Sequence, residues 1–264
     1  MTILDKITAH KAIEVAEAKA KISIQDLEKS DFFSRKTNSL VSNLLSKNST
    51  GIIAEHKRKS PSKGIINTLL SVEEITQGYA KAGAACLSVL TDFEFFGGTK
   101  EDLLKARAAN PFTPILRKDF MIDEYQIHEA KAWGADVILL IAACLSPTQI
   151  KDLSKKAHDL GLEVLLEIHD EEELNRSPLE NVDVIGVNNR NLKNFAENNI
   201  NASLALADKI PANLVKISES CISQPETIKQ LQAVGYKGFL IGETFMKADN
   251  PAGALQHFTN SLIA

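Results

Sequence analysis

The sequence predicts an α/β fold in which parallel strands alternate with helices, because short apolar runs, loops and helix starts follow one another along the chain. The apolar runs that we interpret as strands are Gly51–His56, Cys86–Thr91, Pro114–Lys118, Val137–Ala142, Val164–Ile168, Val182–Asn188, Leu214–Ser218 and Gly238–Gly242. Strict alternation implies right-handed crossover connections and one parallel sheet. Eight such units favour closure into a (β/α)8 TIM barrel over an open doubly wound sheet, and no GxGxxG turn follows the first run.

Most intervals between the runs begin with a residue suited to cap a helix, which supports the alternation. The predicted N-caps are Ser71 with Glu74, Thr99, Asp123, Ser146 with Gln149, Asp170, Ser223 with Glu226, and Asn250. Amphipathic stretches such as Ser146–Leu160 and Pro225–Val234 fill the intervals, as expected of helices that cover a sheet.

A further helical segment precedes the first strand. Ile3–Lys21 carries a partial apolar stripe that includes Ile7, Ile13 and Val15. We interpret residues 1–48 as an N-terminal helical extension packed on the barrel at its mouth. Because no linker or low-complexity segment interrupts the chain, we expect residues 1–264 to form a single barrel domain.

Composition argues against several classes of protein. The formal net charge is −4 and the pI is about 5.9, so the basic surface of a nucleic-acid or membrane-surface protein is missing. The three cysteines are widely spaced and form no CxxC pair, which favours a reducing compartment and gives no zinc framework. The N-terminus lacks the apolar core of a signal peptide, and the longest apolar stretch, Val137–Leu145, is too short to span a bilayer. We therefore expect a cytoplasmic protein without nucleic-acid, membrane or metal partners. We further expect a monomer or weak homo-oligomer.

Charged side chains follow several predicted strands, at the end where a barrel of this kind carries its chemistry. Glu55 and Lys57 are two residues apart at the end of the first strand, so their side chains point to the same side. The other strand ends carry Lys118, Glu167, Asn188 with Arg190, Glu219 with Ser220, and Gly242 with Glu243 and Thr244. Any single one of these charged residues is about as readily explained by a solvated ion pair as by a function. The convergence of the whole set indicates an active site.

This set of residues has a definite chemistry. Lysines beside carboxylates in a cavity supply proton donors and acceptors when their pKa values are tuned towards neutrality. The planar guanidinium of Arg190 suits a carboxylate or a phosphate. The loops Ser218–Ile222 and Ile241–Thr244 follow the seventh and eighth strands, where this fold often binds phosphate, and Lys57 adds a countercharge. We expect a sugar-phosphate-sized substrate that carries a second acidic group.

Longer motifs in the same places are those of a known family. The chain contains AEHKRKSPSKG, PILRKDF, GADVILLI, LLEIHDEEEL, IGVNNRNL, KISES and FLIGETFM. With these motifs it resembles the indole-3-glycerol-phosphate synthases of tryptophan biosynthesis over nearly its whole length. The resemblance implies a TIM-barrel carboxy-lyase that converts 1-(2-carboxyphenylamino)-1-deoxyribulose 5-phosphate into indole-3-glycerol phosphate, carbon dioxide and water, without a cofactor or a metal.

The resemblance also implies a role for each matching residue. Lys118 looks like the general acid that polarises the ketone, Glu167 like the acid/base residue of the dehydration, and Lys57 like a phosphate ligand that also donates a proton. Glu55, Asn188 and Arg190 resemble the residues that hold the anthranilate part and the sugar hydroxyls, and with Ser220 they complete the catalytic set. The implied phosphate and substrate shell comprises Lys57, Ser220, Cys221, Gly242 and Glu243. The implied apolar wall for the aromatic ring comprises Ser60, Pro61, Phe96, Phe120, Leu192 and Leu240. The division of acid chemistry between Lys57 and Lys118 stays open.

Cys221 departs from the family pattern, because it stands where these enzymes commonly have glycine. If the position needs a positive φ, cysteine introduces strain or crowding, and we expect a perturbed rather than a lost phosphate site. Two other functions are possible for such a chain: another phosphate-binding barrel, such as a sugar-phosphate isomerase, and a non-catalytic barrel with a decayed site. The Glu-x-Lys pair joined to the KDF motif argues against the first, and retention of Lys118 and Glu167 argues against the second.

Overall fold

The computed structural model describes residues 2–61, 64–68, 70–190 and 199–263 and contains the closed parallel barrel that the sequence predicts. The strands in chain order are β1 (Ile52–His56), β2 (Lys59–Ser60), β3 (Gly64–Ile65), β4 (Cys86–Leu90), β5 (Ile115–Lys118), β6 (Val137–Ile141), β7 (Glu163–Ile168), β8 (Val184–Asn188), β9 (Val215–Glu219) and β10 (Gly238–Ile241). β2 and β3 form a short antiparallel pair in the loop after β1, and the other strands follow the order β1-β10-β9-β8-β7-β6-β5-β4. The barrel closes at β1, where Ile53 lies opposite Cys86 of β4 and Leu240 of β10.

The helices surround this barrel. They are α1 (Ile3–Lys21), α2 (Ile24–Glu28), α3 (Leu40–Leu45), α4 (Val72–Lys81), α5 (Phe93–Phe96), α6 (Lys100–Ala109), α7 (Glu124–Ala132), α8 (Pro147–Asp159), α9 (Glu171–Arg176), α10 (Asn201–Leu206), α11 (Pro225–Ala233), α12 (Glu243–Met246) and α13 (Pro251–Ile263), with a 3₁₀ turn at Ala142–Cys144. No helix in the described part of the chain is both long enough and apolar enough to cross a membrane.

The predicted helix starts are confirmed except for one. The side chains that accept a hydrogen bond from a backbone N–H of the first turn are those of Ser71, Thr99, Asp123, Ser146, Asp170 and Asn250. The capping box predicted for Ser223 and Glu226 is wrong, since α11 begins at Pro225 and Gln224 is its N-cap without a side-chain hydrogen bond. Proline sets this start: its fixed φ suits the first helical position, and it drives the preceding residue into the extended conformation seen at Gln224.

The barrel interior is filled with aliphatic side chains. Ile53, Leu116, Leu139, Leu165, Val184, Ile217 and Leu240 pack together there, and each is buried. The opposite faces of the same strands pack against the helices, which explains why the strands are almost continuously apolar in sequence. Burying each such side chain stabilises the fold by about 1.5–3 kcal/mol.

α1 packs at the barrel mouth through a mixed apolar and charged face. Ile7 and Val15 are buried as expected, whereas Ile13 is 59% exposed, so the predicted stripe was wrong at that position. Lys11, between them, is only 3% exposed, and its Nζ lies 3.0 Å from Asp92 Oδ2 and 3.0 Å from Asp119 Oδ1. An ion-pair cluster that the apolar pattern does not reveal therefore helps to dock this helix.

Candidate active site

A cavity of about 370 Å³ opens at the carboxyl ends of the barrel strands, within the size range of small-molecule sites. The predicted site residues that line it are Glu55, Lys57, Ser60, Pro61, Phe96, Lys118, Phe120, Glu167, Asn188, Arg190, Ser220, Cys221, Leu240, Gly242 and Glu243. Leu192, which was also predicted, lies outside the described residues. The others converge because the carboxyl ends of parallel strands meet at one rim of the barrel.

Lys118 lies between two buried glutamates in this cavity. Its Nζ is 2.7 Å from Glu219 Oε2 and 3.2 Å from Glu167 Oε2. The three side chains stand on β5, β7 and β9, which are alternate strands of the barrel, and alternate strands supply side chains to the same interior layer. Glu55 on β1 belongs to the same set of strands and acts electrostatically on Lys118.

The charges in this layer shift one another's pKa values. Burial lowers the pKa of Lys118, but the negative charges of Glu219, Glu167 and Glu55 outweigh burial and hold that pKa above its ordinary value. Burial raises the pKa of Glu167, but the positive charges of Lys118 and His169 outweigh it and hold that pKa below its ordinary value. For Glu219, burial and the charge of Glu167 raise the pKa to about 7, although Lys118 opposes the rise. Lys118 is thus a charged ammonium, and Glu167 is an ionised carboxylate able to accept a proton.

Glu55 and Lys57 form the ion pair that their spacing predicts, with Lys57 Nζ 2.7 Å from Glu55 Oε1. Gly242, which directly follows β10, makes room for this pair. A Cβ atom at position 242 would lie 2.5 Å from Glu55 Oε1, closer than such atoms approach in proteins. A side chain at position 242 would therefore push Glu55 out of the layer.

The loop after β9 adopts the left-handed backbone conformation that was considered for Cys221 from the sequence. Cys221 has a φ of 60° and Ser220 a φ of 66°, both in the left-handed region that disfavours residues with a Cβ atom. The strain at Cys221 that was expected from the sequence is therefore present. Asn189 supports the turn by donating hydrogen bonds from its Nδ2 to the Ser218 hydroxyl and to the Glu219 carbonyl.

Polar and aromatic groups complete the walls. Arg190 Nη2 lies 3.7 Å from Glu243 Oε2, and the Arg190 backbone N–H donates to Asn188 Oδ1. Phe96 and Phe120 face each other with ring centroids 6.0 Å apart. One side of the cavity is therefore suited to an anionic, hydroxylated ligand and another to an aromatic ring.

Several lining residues were not assigned a role from the sequence: Ile3, Leu4, Ile7, His169, Glu219 and Lys247. Glu219 was placed in the loop, because the strand was expected to end at Ser218; β9 includes it, and its side chain enters the interior layer. The available sequence signal for Glu219 was that it directly precedes Ser220, a predicted site residue. For Ile3, Leu4 and Ile7 the apolar stripe of α1 signalled burial, but contact with this cavity depends on the docking of α1, which tertiary contacts decide.

Among the described residues, no group of three or more histidine, cysteine, aspartate or glutamate side chains is arranged to hold a metal ion. The cavity itself supplies acids, bases and hydrogen-bond donors.

Comparison with known proteins relates this chain to one family. A model of the family described as "Indole-3-glycerol phosphate synthase" matches residues 4–258. Proteins named indole-3-glycerol phosphate synthase are similar to it: one from Bacteroides thetaiotaomicron is 48% identical over 264 residues, covering 98% of each chain. Another, from Polaromonas sp., is 44% identical over 256 residues and covers 96% of each chain.

Solved structures with a similar fold are less similar to this chain in sequence than the proteins named above. The 3-hexulose-6-phosphate synthase of Salmonella typhimurium superposes with a TM-score of 0.65 at 13% identity, covering 81% of this chain and 98% of that one. KGPDC from Streptococcus mutans gives a TM-score of 0.61 at 13% identity, covering 81% and 97%. At this level of identity the likeness shows the barrel fold alone.

Proposed function

The chain belongs to the indole-3-glycerol phosphate synthase family, and we propose that the cavity at its barrel mouth closes the indole ring of 1-(2-carboxyphenylamino)-1-deoxyribulose 5-phosphate. The activity is that of a carboxy-lyase in tryptophan biosynthesis. The observation that carries the proposed residue roles is the interior layer in which Lys118 contacts both Glu167 and Glu219. This layer sets one proton donor and one proton acceptor side by side in a single cavity.

Ring closure requires a proton at the ketone oxygen. The bond forms between the ketone carbon and the aromatic carbon that bears the carboxylate, and the carbonyl electron pair moves to oxygen. Lys118 donates its proton to that oxygen, and the glutamates that hold its ammonium compensate the positive charge until then. The carboxylate then leaves as carbon dioxide, and the electrons of the broken bond restore the aromatic ring.

Dehydration completes the indole. The hydroxyl group leaves as water with a proton from a lysine ammonium, either Lys57 or Lys118, while Glu167 removes the proton from the carbon next to the ring nitrogen. Glu167 suits this step because its pKa is held low, so that it is ionised when the substrate arrives. Two protons are donated and one is recovered, so each turnover takes up one proton from water.

The remaining groups position the substrate. Lys57 and the backbone N–H groups around Cys221 and Gly242 would bind the phosphate, as loops after the last two strands of this fold often do. Phe96 and Phe120 would hold the anthranilate ring, and Ile7 of α1, which lines the same cavity, would help to exclude water. Holding the aromatic carbon against the ketone carbon lowers the entropic part of the barrier. We also propose that the protein is cytoplasmic and acts as a monomer or weak homo-oligomer. Its net charge of −4 argues against a nucleic-acid or membrane-surface partner.

The activity is tested with the purified chain, the anthranilate-ribulose phosphate and a chelator, by following the fluorescence of the indole product. We expect turnover with no added metal and release of one carbon dioxide for each indole formed. A protein that is folded by circular dichroism but gives no product under these conditions would falsify the enzyme function.

A further inference from the structure

His169 lines the active-site cavity but has no part in the chemistry described above. It follows β7 directly and stands two residues after Glu167, so the two side chains point to the same side, as Glu55 and Lys57 do. Its Nε2 lies 3.8 Å from Glu167 Oε1. Within the described part of the chain, this buried nitrogen has no hydrogen-bond partner. His169 Nε2 therefore faces Glu167, the proposed base of the dehydration step, and is free to exchange a proton with it.

The other side of the imidazole is held in place by Glu173, in the first turn of α9. Glu173 Oε2 lies 3.2 Å from His169 Nδ1 and accepts a 2.7 Å hydrogen bond from the His169 backbone N–H. A carboxylate at Nδ1 keeps a proton on that nitrogen and orients Nε2 towards Glu167. The side chains of His169 and Glu173 are 17% and 15% exposed, so this side of the cluster reaches solvent, whereas Glu167 is only 6% exposed.

Glu167 connects this histidine to the general acid. Its Oε1 faces His169 Nε2, and its Oε2 lies 3.2 Å from Lys118 Nζ. We propose that His169 is the positioning and proton-supplying residue through which Glu167 and Lys118 exchange protons with water between turnovers. This inference rests on the proposed ring-closing function.

The proton balance of the reaction requires one proton to enter the cavity in each cycle. Two protons leave the lysines in each cycle, and Glu167 recovers only one, so one ammonium must be restored from outside the cavity. The imidazolium passes the proton at Nε2 to Glu167 Oε1, and the carboxyl group, after turning, delivers it to the neutral amine of Lys118. The neutral imidazole keeps its Nδ1 proton beside Glu173 and takes a new proton at Nε2 from water that enters the cavity after product release. No bond other than those to the transferred protons is made or broken.

The surrounding charges favour the protonated imidazole. Burial lowers the pKa of His169, but the hydrogen bond to Glu173 and the negative charges of Glu167, Glu173 and Glu219 outweigh burial and raise that pKa above its ordinary value. Lys118, beyond Glu167, is the cation of the same cluster. The histidine is therefore charged and ready to donate when substrate binds near neutral pH.

The test uses His169→Asn, whose amide keeps a donor to Glu173 but carries no transferable proton, beside wild type and a matched control. In the control, His158→Gln, the altered histidine also pairs with a carboxylate, Asp183 Oδ2 at 2.8 Å, but does not line the cavity. We expect kcat of His169→Asn to fall about tenfold, less than the 10²-fold or more of a direct general acid, with KM nearly unchanged. The fall of kcat with rising pH should begin at lower pH, and added imidazole should restore the rate. The control should match wild type.

Each alternative outcome overturns the proposal. An undiminished kcat in His169→Asn would mean that protons reach Lys118 by another route. A loss that imidazole does not restore, with an unshifted pH profile, would mean that His169 only supports the loop. Wild-type protein without turnover would instead refute the proposed function.

A measurement that does not depend on activity follows the imidazole of His169 by NMR during a pH titration. Its pKa in the wild type should lie above 6.5, the ordinary value, and should fall in Glu173→Gln and in Glu167→Gln because a negative neighbour is lost. This result stays available if His169→Asn fails to fold. An unchanged pKa of His169 in both variants would show that the imidazole is not electrostatically coupled to Glu167, and the proposal would be wrong.

Discussion

Lys11→Met should destabilise the protein far more than the loss of an ordinary lysine on α1. Lys11 Nζ contacts Asp92 Oδ2 and Asp119 Oδ1, and the side chains of all three residues are nearly inaccessible to solvent. Asp119 would keep Arg117, whose guanidinium lies 3.0 Å away. Among the residues that the structure describes, the Asp92 side chain would keep only the hydrogen bond that its Oδ1 accepts from the Phe95 backbone N–H. The variant therefore leaves one buried carboxylate without a cation.

The size of the effect follows from that unpaired charge. Removing one partner of a buried ion pair costs about 3–5 kcal/mol, a large share of the roughly 5–15 kcal/mol of total stability typical of a domain. Lys19 on the same helix pairs with Asp123 Oδ2 at 2.7 Å, but its side chain is 47% exposed. Lys19→Met should therefore cost at most about 1 kcal/mol.

Urea denaturation followed by circular dichroism measures both losses in the free energy of unfolding. Adding Asp92→Asn to Lys11→Met should recover much of the loss, because the second change removes the uncompensated charge. We also expect a higher KM in Lys11→Met, since Asp92 is the N-cap of α5, which carries Phe96. If Lys11→Met cost no more than Lys19→Met, the ion-pair cluster would not be what docks α1.

Three further predictions concern the cavity itself. Lys118→Ala should lower kcat at least about 10²-fold in the fluorescence assay; near-normal activity would assign the acid role to Lys57. Cys221→Gly should lower KM, because Cys221 has a φ of 60° and glycine adopts this conformation in the phosphate loop without a strained Cβ atom. An unchanged or higher KM would show that the loop already accommodates cysteine. Glu219→Gln should change how stability depends on pH. Because the folded-state pKa of Glu219 is raised from 4.5 to about 7, the folded protein binds more protons there than the unfolded chain, and this contribution to stability declines as pH rises between those values. The decline should be absent from urea titrations of the variant, and its persistence would place the ionisation on another group.

Much of the site was predictable from sequence because its signals are local. A strand has a period of two residues, so Glu55 and Lys57 had to share a side, and the ion pair between them confirms it. The strand-end rule placed Lys118 and Glu167 at the same rim, where both line the cavity. The positive φ of Cys221 likewise agrees with the backbone strain that was expected at this position from the sequence.

Other features depend on how distant parts of the chain meet. The extent of β9, which brings Glu219 against Lys118, is set by pairing with β8 and β10 and not by the apolar pattern alone. In the sequence, nothing distinguishes Lys11 from the other charged residues of α1. The docking of α1 on the barrel buries Lys11 against Asp92 and Asp119. In the sequence, His169 has no feature that distinguishes it from other loop residues. The turn into α9 brings Glu173 to its Nδ1.

By itself, the amino-acid sequence determined the alternation of strands and helices, the closed barrel and the identity of most groups at its rim, because periodicity and helix capping act over a few residues. Only the tertiary structure decided which charges are buried together and how they shift one another's pKa values. The physical reason is that burial and electrostatic coupling depend on distance in space, and barrel closure sets that distance between residues far apart in the chain.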